Sequence, residues 1–201
     1  MKNQIYLSLT PSYKKNIMEQ KSTFWKSAMT YGLYLGIALI LYNVLLYVAG
    51  QNLNTTLGLV SYLIMAAGVF YSQIHYRNTE LNGFISYSQA LGFGIVVMLF
   101  AGVIQSLYSV ILIKYLDPSI LDQIRVMQEE ALMERGMSDE QIEAVGQMMT
   151  KMQSPLVIAI SGLLTFGFIG FIISLVTSIF VKKNDEENAF AEAMGEIKDE
   201  E

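Results

Sequence analysis

Residues 27–74 read SAMTYGLYLGIALILYNVLLYVAGQNLNTTLGLVSYLIMAAGVFYSQI and contain no Asp, Glu, Lys or Arg. This stretch is 48 residues long, and a helix needs about 20 apolar residues to cross the hydrocarbon core of a bilayer. It therefore predicts two membrane-spanning helices, at about 27–50 and 57–76. Residues 51–56 (QNLNTT) would form a short polar turn between them.

Two further stretches, 81–113 and 152–181, are also free of charged residues. Each predicts one span, at about 88–113 and 155–181. The chain is 53% hydrophobic and only 15% charged, whereas a soluble domain carries about 25% charged residues. A soluble core would need helices with a polar face, which these stretches lack. We therefore predict an all-α membrane protein with four transmembrane helices.

Lysine and arginine residues near the ends of the spans predict the orientation, because cytoplasmic segments carry the excess of positive charge. The turn 51–56 has no charge, whereas the segments before the first span, after the second and after the fourth are positive. These residues are Lys2, Lys14, Lys15, Lys21, Lys26, Arg77, Lys182 and Lys183. The pattern places both termini in the cytoplasm. The predicted organisation is a cytoplasmic N-terminal segment (1–26), three spans (27–113), an extracytoplasmic helical hairpin (114–154), a fourth span (155–181) and an acidic cytoplasmic tail (182–201).

The N-terminus does not read as a cleaved signal peptide, because its apolar region is short and is followed by Pro11 and two lysines. The first span is therefore predicted to be an uncleaved signal anchor. Met18 precedes EQKSTFWKSAM, which reads as a natural beginning. Residues 1–17 are accordingly interpreted as a dispensable extension or a misassigned start.

Residues 114–154 differ from the spans because they carry eight acidic and four basic residues. Asp117-Pro118 predicts a helix start, and Gly136 predicts a helix end in the left-handed conformation. Residues 138–141 (SDEQ) form a capping box for a second helix. Two short helices bury too little surface to stand alone, so the apolar face of this αα-hairpin should pack on the spans or on a partner. The candidate partner-binding residues are Ile124, Met127, Ile142, Val145 and Met149.

Metal binding at the hairpin has two possible signals, and neither is specific. Methionine thioethers bind Cu(I), but there is no His or Cys nearby to complete a site. The acidic residues lack the D-x-D-x-D-G spacing of a calcium loop, and a solvated helix face explains them. The chain has no Cys at all, which excludes disulfides and thiolate sites. We predict no metal and no cofactor.

The polar residues within the predicted spans are all uncharged, which disfavours a proton-coupled transporter, since such proteins keep an acid or His in the membrane. They are Asn43, Ser61, Gln73, Gln105, Ser106, Ser109, Ser161, Thr165, Ser174, Thr177 and Ser178. Small residues one turn apart allow helices to approach closely, which makes Gly32, Gly36, Gly170 and Ser174 candidates for helix packing. This packing would occur within one bundle or between two copies of the chain.

Enzyme signatures are missing from the sequence. It contains no Gly-rich phosphate loop, no H-E-x-x-H, no Cys nucleophile and no G-x-S-x-G. The single histidine, His75, lies at a predicted membrane boundary. We therefore predict that the protein is not an enzyme.

Four stretches carry a family resemblance: FWKSAMTYGLYLG (24–36), GFISYSQALGFG (83–94), YLDPSILDQ (115–123) and GFIISLVTSIFVKK (170–183). In order and spacing they resemble the bacterial membrane proteins called domain of unknown function 4199, over roughly residues 18–183. The resemblance implies a four-span inner-membrane protein. The family has no assigned activity, so the resemblance implies no catalytic residues.

The sequence favours a non-enzymatic, multi-pass protein of the bacterial inner membrane that acts in interaction, assembly or envelope scaffolding. The expected partners are the lipid bilayer, a second copy of the chain and an envelope protein bound through the hairpin, and no nucleic acid. The alternative is a small transporter or channel subunit for a neutral solute.

Overall fold

The computed structural model describes the backbone of residues 11–152 and 154–183 and the side chains of residues 22–148, 154 and 156–183. Within these residues the chain is helical apart from its connections, and the one β-type contact is an isolated bridge between Ile85 and Lys183. The helices are α1 (Pro11–Val48), α2 (Thr55–Glu80), α3 (Tyr87–Ile111), α4 (Ile120–Glu134), α5 (Asp139–Met152) and α6 (Pro155–Val181).

Four of these segments are long and apolar enough to cross a membrane: Ser22–Val48, Thr55–Glu80, Tyr87–Leu116 and Leu156–Val181. The predicted all-α fold with four transmembrane helices is therefore confirmed. The protein is a membrane protein, since helices of this length and composition need a lipid environment to cover their outward-facing apolar side chains.

The helix boundaries differ from the predicted ones in three places. Helix α1 begins at Pro11, ahead of the span predicted from about residue 27, because proline suits the first helical turn and no second proline interrupts the residues that follow. Helix α2 continues to Glu80, beyond the predicted end of the second span at about residue 76. After α3, one π-helical turn at Leu112–Leu116 extends the third span beyond residue 113.

Side-chain caps explain where three of the spans begin. Ser86 and Gln89 form a reciprocal capping box at the start of α3, and the Ser154 hydroxyl accepts a hydrogen bond from the Val157 amide ahead of α6. Both caps agree with the sequence. The cap of α2 is Asn54, whose side chain accepts hydrogen bonds from two backbone amides of the first turn. These contacts satisfy amides that a helix start leaves unpaired.

Helix α3 lies at the centre of the bundle and makes its most extensive contacts with α6 and α1. Glycines permit the close approach on both sides. A Cβ added to Gly170 of α6 would stand 2.5 Å from Met98 Cβ of α3, and one added to Gly102 of α3 would stand 2.7 Å from Phe166 Cβ of α6. On the other side, a Cβ on Gly32 of α1 would collide with Phe100 of α3.

The end of the bundle that holds residues 81–86 and Lys182–Lys183, hereafter the loop end, is closed by direct contacts. Ile85 and Lys183 exchange two backbone hydrogen bonds of 3.0 Å. Arg77 donates to the carbonyl of Val181 at 3.0 Å and so caps the end of α6. Beside these contacts Tyr76 stacks on Phe93 with ring centroids 4.1 Å apart.

Residues 114–152 and 154 lie at the opposite end, together with the turn 51–54, and we call it the hairpin end. Gly136 has φ 77°, the left-handed conformation that glycine adopts at little cost. Ser138 and Gln141 cap α5 reciprocally, at 3.1 and 3.4 Å. The predicted helix start at Asp117-Pro118 is wrong by a few residues, because Asp117 instead accepts two hydrogen bonds from Ser119 in a turn that precedes Ile120.

Candidate intramembrane cavity

A cavity of about 610 Å³ lies between the four spans at the hairpin end. This volume is within the range of small-molecule binding sites, about 300–1,000 Å³. Each span contributes lining residues, and so do the turn after α1 and the first hairpin helix, α4. The apolar lining includes Leu39, Leu59, Met65, Ile124, Phe166 and Ile169. The polar lining includes Asn43, Ser61, Gln105, Tyr108, Ser109 and Thr165.

Gln105 is the most deeply placed amide of this lining. It lies on α3 within the span Tyr87–Leu116, about 17 Å along the helix from Leu116. The residue is only 6% exposed. Within the described part of the chain, nothing forms a hydrogen bond with its side chain. An amide at this depth without a partner costs free energy, so the site favours a molecule that can bond to it.

Other polar groups of the lining differ in how far the protein already satisfies them. The Asn43 amide nitrogen donates to the carbonyl of Leu39 at 2.9 Å, and the Thr165 hydroxyl donates to the carbonyl of Ser161 at 2.8 Å. Among the described residues, the hydroxyls of Ser61 and Ser109 have no such bond. The cavity thus offers hydroxyl and amide groups along its depth, framed by aliphatic and aromatic walls.

The lining contains no Asp, Glu, Lys, Arg or His. Transfer of an ion into a low-dielectric site without a counter-charge is very costly. The cavity is therefore suited to an uncharged molecule with at least one hydrogen-bonding group. No group of three or more His, Cys, Asp or Glu that could hold a metal occurs in the described residues.

The first hairpin helix covers the cavity at one side. Ile120 and Ile124 of α4 both line it, and Ile120 is buried. The turn before α4 is tied to the first span, because the Tyr47 hydroxyl donates to a carboxylate oxygen of Asp117 at 3.2 Å. The hydrogen bond from the Ser119 hydroxyl lowers the pKa of Asp117 most, and the bond from Tyr47 lowers it further, against the opposing effect of desolvation.

The predicted partner-binding residues of the hairpin have different surroundings. Ile124 is half-buried in the cavity wall, and Ile142 is buried on α5. Val145 is half-buried, whereas Met127 is 41% exposed. Met149 lies on α5, and its side chain is outside the described residues. The structure thus places Ile124 and Ile142 against the chain's own fold and leaves Met127 accessible.

The predicted helix-packing residues all lie against other helices of the same chain. Gly32 and Gly36 of α1 lie against Phe100 and Ile104 of α3, and Gly170 of α6 lies against Met98. The fourth candidate, Ser174, is fully buried, and its hydroxyl occupies the space beside Gly94 of α3.

Sequence reasoning named Gln105, Ser61, Ser109 and Asn43 as uncharged polar residues within spans but did not assign them to one site. The spacing of these residues in the sequence could not show that they line one cavity, because they lie on three different spans. The available signal was the presence of an amide inside the second uncharged stretch, 81–113.

Comparison with known proteins agrees with the resemblance carried by the four sequence stretches. A family model described as "Protein of unknown function (DUF4199)" matches residues 30–183. No curated protein and no solved structure matches the chain. The match covers most of the chain and includes the four-span bundle except the beginning of the first span. This protein is therefore a member of the DUF4199 family of proteins of unknown function.

Proposed function

We propose that the protein is a membrane-embedded binding protein for an uncharged, hydrogen-bonding molecule, in the class of small transporters and channel subunits for neutral solutes. The strongest support comes from Gln105. Its side chain is only 6% exposed, lines the 610 Å³ cavity and has no hydrogen-bond partner among the described residues. A glutamine amide offers both a donor and an acceptor, so it suits a hydroxyl, an amide or a carbonyl group.

The two ends of the bundle are packed differently, and this difference supports the same proposal. At the loop end, Phe24 packs edge-on against the stacked rings of Tyr76 and Phe93, with centroid distances of 5.9 and 5.6 Å, and Ile85 pairs with Lys183. At the hairpin end, residues of all four spans line the cavity, and direct contacts such as that from the Ser106 hydroxyl to the Ala159 carbonyl, at 3.1 Å, hold α3 and α6 together beside it. A site that is sealed at one end and covered by a separate helix at the other is the arrangement expected of a one-sided binding pocket.

The absence of cysteine from the chain allows a direct test. Ser109→Cys would place a single thiol in the cavity wall, and Leu107→Cys would place one on the same helix where the side chain is 62% exposed toward lipid. In proteoliposomes, neutral N-ethylmaleimide should modify Ser109→Cys, and negatively or positively charged thiosulfonates should not. Leu107→Cys should react slowly with all three reagents, because a lipid-facing thiol does not ionise readily.

Two results would contradict the proposal. If Ser109→Cys were inert toward every reagent, the cavity would be closed to solutes. If charged and neutral reagents reacted at equal rates, the selectivity for uncharged molecules would be wrong. Thermal unfolding of each variant should first establish that the bundle is intact.

Interaction or assembly through the hairpin is a second candidate function, supported by the exposed apolar residues Val126, Met127 and Met133 on α4. Under this proposal the hairpin lies outside the cytoplasm of a bacterial cell, and the partner is an envelope protein. A photo-crosslinking residue in place of Val126 should then give one discrete adduct in native membranes, which Met127→Ser should weaken. A smear of adducts, or no adduct, would count against it.

A further inference from the structure

The second and fourth spans, α2 and α6, are joined at one end and separated at the other. At the loop end the Gln73 amide donates to the Ser178 hydroxyl at 3.2 Å, and Arg77 bonds to the Val181 carbonyl at 3.0 Å. Toward the hairpin end, residues of both helices line the cavity, among them Tyr62 of α2 and Thr165 of α6. The two spans therefore diverge around the cavity.

Several cavity residues at this divergence also face outward from the bundle. Leu59 is 57% exposed and Tyr62 is 46% exposed, although both line the cavity, and Thr165 is exposed as well. Exposed lining residues on both helices, around a cavity that is not fully closed, indicate an opening between α2 and α6. Because the outer surface of a spanning helix faces lipid, this opening leads sideways into the bilayer.

The polarity of the path changes between its outer rim and its inner part. Its outer rim is largely apolar, with Leu59 and the ring of Tyr62, whereas its inner part carries Gln105 and Ser109 of α3. A molecule that matched this gradient would place an uncharged hydrogen-bonding head at Gln105 and leave an aliphatic chain in the opening between α2 and α6. A fully water-soluble solute would gain nothing from the apolar rim.

We infer that the cavity receives a long-chain lipid with an uncharged hydroxyl head, which reaches it sideways from the bilayer between α2 and α6. This inference rests on the proposed function and specifies the class of ligand and its route. The head group bonds to the Gln105 amide, which can donate to and accept from one hydroxyl. The aliphatic chain of the ligand replaces the lipid contacts that Leu59 and Tyr62 make at the rim.

The test uses the full-length protein in phosphatidylcholine nanodiscs with octadecanol that carries a photoreactive diazirine on its chain. Illumination should label peptides from the rim and the cavity on α2 and α6, and unlabelled octadecanol should compete while glycerol should not. Gln105→Leu should lower labelling at the cavity about threefold, which corresponds to the loss of one hydrogen bond within the membrane.

Two glycines supply a matched pair of variants for the same experiment. Gly58 lines the cavity, Gly92 does not, and a Cβ added at either position would meet nothing within 4 Å. Gly58→Phe should fill the cavity and abolish labelling there, whereas Gly92→Phe should leave labelling unchanged. The unfolding transition of each variant, compared with that of the wild type, should first establish that the bundle is intact, because the free space shown at these positions is that of a Cβ.

Three outcomes would overturn the inference. Equal labelling in the wild type and in Gly58→Phe would show that the probe binds elsewhere. Equal labelling by a diazirine-bearing octadecane would show that no head group is recognised. If Ser109→Cys showed neutral-selective reactivity while octadecanol failed to label the cavity, the proposed function would stand and the lipid class would be wrong.

Discussion

The side-chain amide of Gln73 connects three spans: it donates to the backbone carbonyl of Ala90 on α3 at 2.9 Å and to the hydroxyl of Ser178 on α6 at 3.2 Å. Its own helix is α2, and both Gln73 and Ser178 are fully buried. Among the described residues, the Gln73 carbonyl oxygen and the Ser174 hydroxyl have no hydrogen-bond partner. The amide thus holds the loop end of the bundle together while it leaves one of its own atoms unsatisfied.

Replacement of Gln73 should separate the contribution of its hydrogen bonds from that of its volume. Gln73→Leu removes two hydrogen bonds, each worth about 0.6 kcal/mol within membranes, and also removes an unsatisfied oxygen, so the net cost should be about 1 kcal/mol or less. Gln73→Ala leaves a cavity as well and should cost about 2–5 kcal/mol. Unfolding in detergent or by steric trapping would measure both. Equal costs for Leu and Ala would show that the hydrogen bonds dominate.

Gly170→Ala should destabilise the bundle, because the added methyl group would stand 2.5 Å from Met98 Cβ, an atom that cannot move without its helix. Overpacking of this kind costs about 1–3 kcal/mol. The matched control is Gly92→Ala, at which an added Cβ meets nothing within 4 Å. If Gly170→Ala instead kept the stability of the monomer and changed only the oligomeric state, packing between two copies would be the better explanation.

The contact between Tyr47 and Asp117 should make the attachment of the hairpin sensitive to acid. The pKa of Asp117 is lowered in the folded protein from its ordinary value of 3.8 by the hydrogen bonds from Ser119 and Tyr47. A lowered folded-state pKa means that the stabilisation is complete above the ordinary value and is lost as the pH falls below it toward the folded-state value. Amide hydrogen exchange of residues 117–124, corrected for its intrinsic dependence on pH, should therefore accelerate below about pH 4.

Asp117→Asn provides the control for this pH dependence. It should raise the exchange of the same residues at pH 7 and abolish the further increase in acid, since no carboxylate remains to be protonated. An unchanged acid response in Asp117→Asn would assign the effect to another group.

The orientation predicted from lysine and arginine can be measured with reporter fusions. Fusions after Gln51 and Gly136 should report the non-cytoplasmic side, and fusions after Asn78 and Asn188 should report the cytoplasm. Arg77, Lys182 and Lys183 lie at the membrane ends near the latter positions, whereas the four basic residues of the hairpin stand among eight acidic ones. Gln51 and Gly136 lie at the hairpin end of the bundle, and Asn78 lies near the loop end. A cytoplasmic signal at Gly136 would reverse the orientation.

The four spans could be predicted from the sequence because the cost of placing a charge in hydrocarbon is large and independent of the neighbouring helices. The absence of charge over 27–74, 81–113 and 152–181 therefore determined the number of spans and their order. The capping residues Ser86 and Ser154 were also readable, since a cap bonds to amides only a few residues away.

The cavity was decided by the tertiary structure. Gln73 and Gln105 are equivalent in the sequence, since each is an uncharged amide within an apolar stretch. In the bundle, Gln73 bonds to two neighbouring helices, whereas Gln105 lines a cavity without a partner among the described residues. The difference depends on how each helix is rotated and where α2 and α6 diverge. Those quantities are set by contacts between distant residues, such as Gly170 with Met98, and no local pattern encodes them.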